Sequence, residues 1–300
     1  MNSSSQTRGD LELSIVYVNG FYLDRSQASV GIEDRGYQFS DGVYEVFSLH
    51  NGSLIDERAH FQRLFRSLKE LSLEVPWNQA VLKVIIREVL RRNRIKYGNV
   101  YLQISRGNAR RRHEFPIILT KPSLVVVANR ISCESEKSMG GISVLTVPDI
   151  RWGRADIKTI SLLPNVLAKQ KAVMENFSEA WFVDCDGRVT EGASTNAWIV
   201  DSKGSLITRG LGKRILAGVT RKRVMELALS NGLNILERGF TVADAYSASE
   251  AFLTSTTAGV MPVIKIDDRQ IADGSPGKVT LKLCRSEEHT SELQSPMYLV

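Results

Sequence analysis

The stretch from Asp149 to Gln170 holds a lysine in a guarded setting: Lys158, within Ile157-Lys158-Thr159-Ile160. These neighbours read as a short buried strand, and strands covered on both faces seldom accept an ammonium group without a use for it. An amine withdrawn from water gives up its proton more readily, and can then attack a carbonyl carbon to form a Schiff base. The plainer alternative is a lysine pointing to solvent from an edge strand.

Other residues supply what such a lysine would need. Glu191, in Val189-Thr190-Glu191-Gly192-Ala193-Ser194-Thr195-Asn196, follows the turn Asp186-Gly187 and precedes a strand, beside residues too small to shield it. Alone it reads as a solvated turn carboxylate; paired with a pyridine nitrogen, it keeps that nitrogen protonated. Two stretches suit a phosphate. Gly218-Val219-Thr220 opens a helix, whose first N–H groups face an anion, and Thr254-Ser255-Thr256-Thr257-Ala258-Gly259 ends a strand with small hydroxyl residues. The plainer readings are a helix cap and a loop. Nucleotide motifs are excluded: Ile215 stands where the dinucleotide fingerprint needs glycine, and Gly212-Lys213 lacks the upstream glycine and following hydroxyl residue of a P-loop. A lysine, a ring-nitrogen partner and a phosphate cradle together point to pyridoxal phosphate.

Composition sets the frame. Three hundred residues, 43% hydrophobic and 24% charged, suit one large or two moderate globular domains. The polar, Ser-rich start lacks the apolar core of a signal peptide, and no apolar run has the length of a membrane span, so a cytoplasmic protein without a membrane partner is expected. Three scattered cysteines and four scattered histidines show neither disulfide nor metal-ligand spacing. The formal charge of +6 suits small anionic ligands; the clusters at Arg91, Arg92, Arg94 and Arg110 to Arg112 read as solvated faces rather than a nucleic-acid site.

The elements that must position these residues come in two styles. Asn19-Gly20 and Asn51-Gly52 each sit between β-prone runs and signal hairpins. Between them Glu33 to Gly42 reads as a polar loop. Phe61, Leu64, Phe65, Leu68 and Leu71 mark one helix; Asn78 caps another carrying Val81, Leu82, Ile85, Ile86, Val89 and Leu90. Strands follow over 100–105 and 124–128. The second half mixes strands over 142–146, 180–184, 196–201, 233–236, 251–254 and 262–266 with helices over 166–174 and 219–229, the latter stopped by Asn231-Gly232. An α+β organisation results: a flexible tail over 1–14, a smaller sheet-and-helix domain over 15–128, a linker over 129–141 and a larger mixed α/β domain over 142–284.

Five blocks, in order, resemble the fold type IV pyridoxal-phosphate aminotransferases, most closely those acting on D-amino acids. They are Glu33 to Phe39 continuing through Asp41 to Val46, Asp149 to Gln170, Val189 to Asn196, Ile215 to Arg221, and Phe252 to Thr257. The resemblance implies that Lys158 bears the cofactor and carries the substrate proton, and that Glu191 holds the pyridine nitrogen. It implies that Arg63, Val219, Thr220, Ser255 and Thr256 hold the phosphate. Arg111 and His113, with Tyr37, would trap the substrate carboxylate; the consecutive arginines leave Arg110 and Arg112 as alternatives. The implied reaction passes the amino group of a D-amino acid to a 2-oxo acid, 2-oxoglutarate by resemblance. A homodimer with composite sites is implied as well. A branched-chain L-amino-acid aminotransferase, an aminodeoxychorismate lyase and, more remotely, a basic binding module are the rival readings. Ala193 stands where the nearest members of the family often carry serine.

The last residues break the pattern. A helix begins at Lys278, whereas Arg285 to Ser295 looks like the conceptual translation of a sequencing adaptor, so 285–300 is expected to be a non-native tail.

Overall fold

The computed structural model describes residues 14–117, 120–131 and 140–294. All but residue 14 of the expected N-terminal tail, residues 132–139 of the expected linker and residues 295–300 lie outside them. The described chain forms two compact units, one built from its residues up to 131 together with Lys158–Ser161, the other from the remainder. Six- and nine-stranded sheets, with seven helices among the described residues, give the α+β class expected.

In the first unit β1 (Ile15–Val18) and β2 (Phe21–Asp24) form the hairpin expected at Asn19-Gly20, whose φ angles are 49° and 106°. Two successive positive-φ residues match the twist of the strands they join. A short helix, α1 (Arg35–Phe39), occupies the stretch expected as a polar loop, and the Asp34 side chain caps it by accepting from the Gly36 N–H at 2.8 Å. Five helical residues hold too few apolar positions for periodicity to reveal them. β3 (Gly42–His50) and β4 (Ser53–Leu54) form the second expected hairpin, followed by α2 (Glu57–Glu70), α3 (Gln79–Asn93), β5 (Gly98–Ser105) and β6 (Ser123–Arg130). The first two residues assigned to a linker thus end a strand.

The strands lie in the order β2-β1-β6-β5-β3-β4, all antiparallel. Val43, Phe47 and Leu49 of β3 meet Val100, Leu102 and Ile104 of β5 and the apolar stripes of α2 and α3 in one core. Asn78 caps α3 as expected, accepting from the Val81 N–H at 3.0 Å. β4 pairs only with Leu49 and His50, which leaves the start of β3 with an open edge. Lys158–Ile160 fills that edge: the Tyr44 N–H donates to the Lys158 carbonyl at 3.0 Å, and the Ile160 N–H to the Gly42 carbonyl at 3.2 Å. The buried strand expected around Lys158 is therefore a single bridge, Thr159 to Val43, and Lys158 is half-buried. Unpaired backbone groups on a sheet edge attract any extended segment that reaches them. Here that segment comes from the part of the chain expected to belong wholly to the other domain.

The second unit contains β7 (Ile142–Pro148), α4 (Leu163–Met174), β8 (Glu179–Val183), β9 (Val189–Gly192), β10 (Asn196–Val200) and β11 (Leu206–Thr208). It continues with α5 (Val219–Ser230), β12 (Ile235–Glu237), α6 (Val242–Tyr246), β13 (Glu250–Ser255), β14 (Gly259–Ile266), β15 (Arg269–Gln270) and α7 (Lys278–Leu293). The sheet runs β12-β11-β10-β13-β14-β7-β8-β9, with β15 beside β14. Strands β8 to β11, β13 and β14 are buried over most of their length, with Trp181, Trp198 and Phe252 fully covered. Asn231-Gly232 ends α5, Gly232 taking a φ of 72°. Residues 285–293, expected as part of a non-native tail, form the latter part of α7; there Glu287 accepts from the buried Arg223 guanidinium at 3.0 Å. The expectation concerns the origin of these codons, which resequencing the locus tests.

Leu102 is fully buried in the first core. Leu102→Ala should lower unfolding stability by about 2–5 kcal/mol through lost transfer energy and a residual cavity, measured by urea denaturation; a loss below about 1 kcal/mol would contradict this packing.

Candidate active site

The first unit places Lys158 against an aromatic stack. Its Nζ lies 4.2 Å from the Tyr44 ring centroid, close enough for a cation–π contact. Tyr44 stacks on Tyr101 at 5.6 Å, and the Tyr101 hydroxyl donates to Gln103 Oε1 at 2.6 Å. Burial, with Tyr44 adding to it, pushes Tyr101 up to about 12. The Ser67 hydroxyl accepts from the Lys158 backbone N–H at 3.4 Å.

One residue beyond Tyr44, Glu45 occupies the row of β3 that faces the core and is completely buried. Arg63, which sequence alone would leave on a solvent-facing side of its helix, is buried too. It donates through Nε to Glu45 Oε1 at 2.7 Å and through Nη2 to Glu45 Oε2 at 2.8 Å. His60 Nδ1 lies 2.8 Å from Glu45 Oε2; because an ionised carboxylate only accepts, that nitrogen carries the proton. Burial raises the Glu45 carboxyl, but Arg63 and His60 overcome it and hold the group down at about 2. Burial likewise pushes His60 down, against the pull of Glu45, which favours the neutral imidazole. Glu45 escaped the sequence reading, although a glutamate within the alternating apolar row Val43, Phe47, Leu49 is itself a signal.

The residues expected to trap a carboxylate lie in the same unit. Arg111 and His113 are exposed and share one aromatic neighbour, Phe39 of α1: the Arg111 guanidinium is 5.0 Å from its centroid and the His113 ring 5.5 Å. Tyr37, the expected third member, is 77% exposed and lines a cavity of about 330 Å³ with Asp34, Gly36 and Gln103. The aromatic side chain beside the lysine is Tyr44.

In the second unit Glu191 lies on β9 and is buried, contrary to the solvated turn position that its small neighbours suggest. Arg151 makes the difference. It donates through Nη1 to Glu191 Oε1, through Nη2 to Asp149 Oδ2 at 2.8 Å and through Nε to Asp149 Oδ1 at 3.0 Å, with its guanidinium 4.5 Å from the Phe182 ring centroid. Glu191 Oε2 accepts from Asn196 Nδ2 at 2.9 Å and from the Leu216 N–H at 3.0 Å. Burial nevertheless pushes Glu191 up to about 7 against these partners. Arg151 carried no role in the sequence reading; its spacing from Asp149, two residues away, is the local trace of the pair.

Asn196 ties this carboxylate to both phosphate candidates. It stands opposite Thr254 in the β10–β13 pair, immediately before Ser255 and Thr256. Its Oδ1 is so near Gly218 that a Cβ there would stand 2.0 Å away. Gly218 is the N-cap of α5 and, lacking a side chain, makes no side-chain capping bond to the first turn, where Val219 and Thr220 are both buried. The N-terminal end of such a helix attracts an anion through its N–H groups and its dipole. Ser255 also accepts from the Ala258 N–H at 3.1 Å. Within the second unit, a buried carboxylate held by hydrogen bonds and a bare helix start beside small hydroxyl residues match two handles of pyridoxal phosphate, its ring nitrogen and its phosphate; within the first, the Lys158 amine matches the third, its aldehyde. Among the described residues no cluster of metal-ligating side chains exists, and no helix is long and apolar enough to cross a membrane.

Comparison with known proteins points the same way. The family model described as amino-transferase class IV matches residues 42–266. A D-alanine aminotransferase from Bacillus licheniformis is 40% identical over 265 residues, covering 88% of this chain and 93% of that protein. One from Staphylococcus haemolyticus is 39% identical over 269 residues, covering 89% and 94%. Among solved structures, the branched-chain amino acid aminotransferase from Escherichia coli has the same fold, with a TM-score of 0.84 at 21% identity over 96% of this chain and 97% of that one.

Ionising Glu191 is unfavourable in the folded state. The unfolded chain releases this proton near 4.5 and the folded chain near 7, so the unfolded state binds fewer protons in that window and stability falls as pH rises through it. With cofactor removed, the wild type should lose about 3 kcal/mol relative to Glu191→Gln between pH 4.5 and 7, and nothing further above. Urea denaturation across this range measures the difference, and a pH-independent gap would contradict the assignment.

Proposed function

This chain belongs to the class IV aminotransferases, and on that footing we propose that it moves the amino group of a D-amino acid, D-alanine foremost, to 2-oxoglutarate. The observation that carries the D-specific reading is the 40% identity to a D-alanine aminotransferase along 93% of that protein's length. The cofactor is pyridoxal phosphate, which when bound supplies the electron sink for the pair released as the substrate Cα–H bond breaks.

The chain's own residues divide the remaining work. The Lys158 amine would hold the cofactor through its carbonyl carbon and, when free, would take the substrate's Cα proton and deliver it back during the transfer. Tyr44, 4.2 Å away, limits where that amine can move. Glu191 serves the ring nitrogen, oriented by Arg151, Asn196 and the Leu216 N–H. A carboxylate that ionises reluctantly gains most from a cationic partner, which suits a group meant to keep a nitrogen protonated. Val219 and Thr220 offer backbone N–H groups to the phosphate, Ser255 and Thr256 their hydroxyls, and Arg63 a guanidinium already fixed by Glu45.

Arg111 and His113 trap the substrate carboxylate, the arginine through two parallel hydrogen bonds and the histidine through one. Tyr37 stays in the reading as the third group of that trap. The same reading makes the protein a cytoplasmic homodimer in which each copy's trap serves a shared site.

Protein loaded with pyridoxal phosphate should be yellow, with a visible band bleached by D-alanine and restored by 2-oxoglutarate; L-alanine and L-leucine should leave the band unchanged. Bleaching by the L-amino acids alone would overturn the stereochemical reading in favour of a branched-chain aminotransferase. Lys158→Ala should abolish turnover in the coupled assay, whereas turnover at the wild-type rate would remove the premise. Arg111→Ala should raise KM for D-alanine by roughly 10- to 150-fold, the equivalent of about 1.5–3 kcal/mol for one lost charge-assisted bond; an unchanged KM would transfer the role to Arg110 or Arg112.

A further inference from the structure

The loop that carries Arg111 and His113 is held by a second pair of arginines, neither of which has a part in the reaction as described. Arg35, on α1, is 3% exposed. Its guanidinium donates through Nη1 to the Arg112 carbonyl at 2.6 Å and the Glu114 carbonyl at 3.4 Å, and through Nη2 to the His113 carbonyl at 3.2 Å. Its Nε donates to Asp41 Oδ2 at 2.8 Å. Three consecutive carbonyls of an exposed loop thus converge on one buried cation.

Asp41 joins this cation to the next. Arg106, also buried, donates through Nε to Asp41 Oδ2 at 2.7 Å and through Nη2 to Asp41 Oδ1 at 3.0 Å. Its remaining bonds reach the Leu71 and Ser72 carbonyls at the end of α2, at 2.8 and 3.0 Å. The Arg106 guanidinium lies 3.7 Å from the ring centroid of Phe115, the next residue along the same loop. Phe39 completes the assembly: Arg35 lies 4.9 Å from its centroid, while Arg111 and His113 pack against the ring.

We propose that Arg35, Asp41 and Arg106 form a clamp that sets the affinity for the substrate carboxylate by fixing the backbone from Arg112 to Phe115 and, through Phe39, the side chains of Arg111 and His113. The proposal rests on the carboxylate-trap reading of those two residues. The members of the clamp are positioning residues, since each acts through the loop and not on substrate. Without it the loop must be ordered when substrate arrives, and the ordering cost appears as weaker binding. The planar fork of Arg35 is essential because a lysine head cannot reach Asp41 and three carbonyls together. The chemical step is untouched, because the clamp acts on the loop backbone from Arg112 to Phe115 and not on the lysine amine.

The test uses cofactor-loaded enzyme. Arg35→Lys should raise KM for both D-alanine and 2-oxoglutarate at least ten-fold, with kcat within two-fold of wild type and the visible band unchanged. Phe39→Leu, which keeps an apolar side chain but removes the ring under Arg111 and His113, should act in the same direction and stands in should Arg35→Lys fail to fold. Bleaching of the band by a primary amine lacking a carboxylate, such as ethylamine, should proceed at the wild-type rate in both variants, which general damage to the site would not allow. Arg35→Lys combined with Arg111→Ala should raise KM no further than Arg111→Ala alone, since both act through one contact. An unchanged KM in the folded variants, equal losses with the carboxylate-free amine, or additive losses in the double variant would each overturn the clamp. Should Arg111→Ala itself leave KM unchanged, the trap is lost and the clamp's role goes with it.

Discussion

A charge withdrawn from water must meet an opposite charge or be neutralised by gaining or losing a proton, and most of the functional geometry here is a set of answers to that requirement. Glu45 is buried with Arg63 and His60, Asp41 with Arg35 and Arg106, and Asp149 and Glu191 with Arg151. Each cluster fixes a side chain or a loop that would otherwise sample many rotamers. Removing one partner leaves the other buried and unpaired, so these clusters hold their geometry more firmly than exposed ion pairs do. The carboxylates differ in consequence. Glu45, between two donors of positive or partial positive charge, is held at about 2, whereas at Glu191 burial outweighs the partners and the group rises to about 7. The first serves as a fixed anion in the scaffold; the second responds to whatever cation faces it.

Lys158 is governed by a different constraint, the need of a strand edge for hydrogen-bond partners. Because β4 covers only the end of β3, Lys158–Ile160 completes the other part of the edge. One backbone bond holds Lys158 and another holds Ile160, and Tyr44 gives the ammonium group a face to rest on.

How much of this was legible depends on whether the determining contacts are local. Asn19-Gly20, Asn51-Gly52 and the Asn78 cap were readable, since a positive φ or an unsatisfied helix N–H selects its residue within a few positions. The stripes of α2 and α3 were readable because burial repeats along them. α1 was missed for want of length, and the solvated position suggested for Glu191 failed because its shielding comes from Arg151 and Asn196 rather than from its small neighbours. Arg63 looked like a surface arginine because its partner Glu45 lies eighteen residues earlier in the chain. Lys158 and Glu191 stand out as chemical types without their surroundings, and the resemblance to a known family implies roles for them that spacing alone leaves open. Arg35 and Arg106 carry no sequence mark: a buried arginine and an exposed one have the same letter.

In the function proposed, Lys158, and no other of the chain's lysines, bears the cofactor. Borohydride reduction of the loaded protein, followed by peptide mass mapping, reads this directly, because reduction makes the lysine–cofactor bond permanent. One pyridoxyl adduct per chain is expected, on the peptide containing Lys158. A stoichiometric adduct on another lysine, such as Lys213 or Lys265, with Lys158 unmodified, would contradict it.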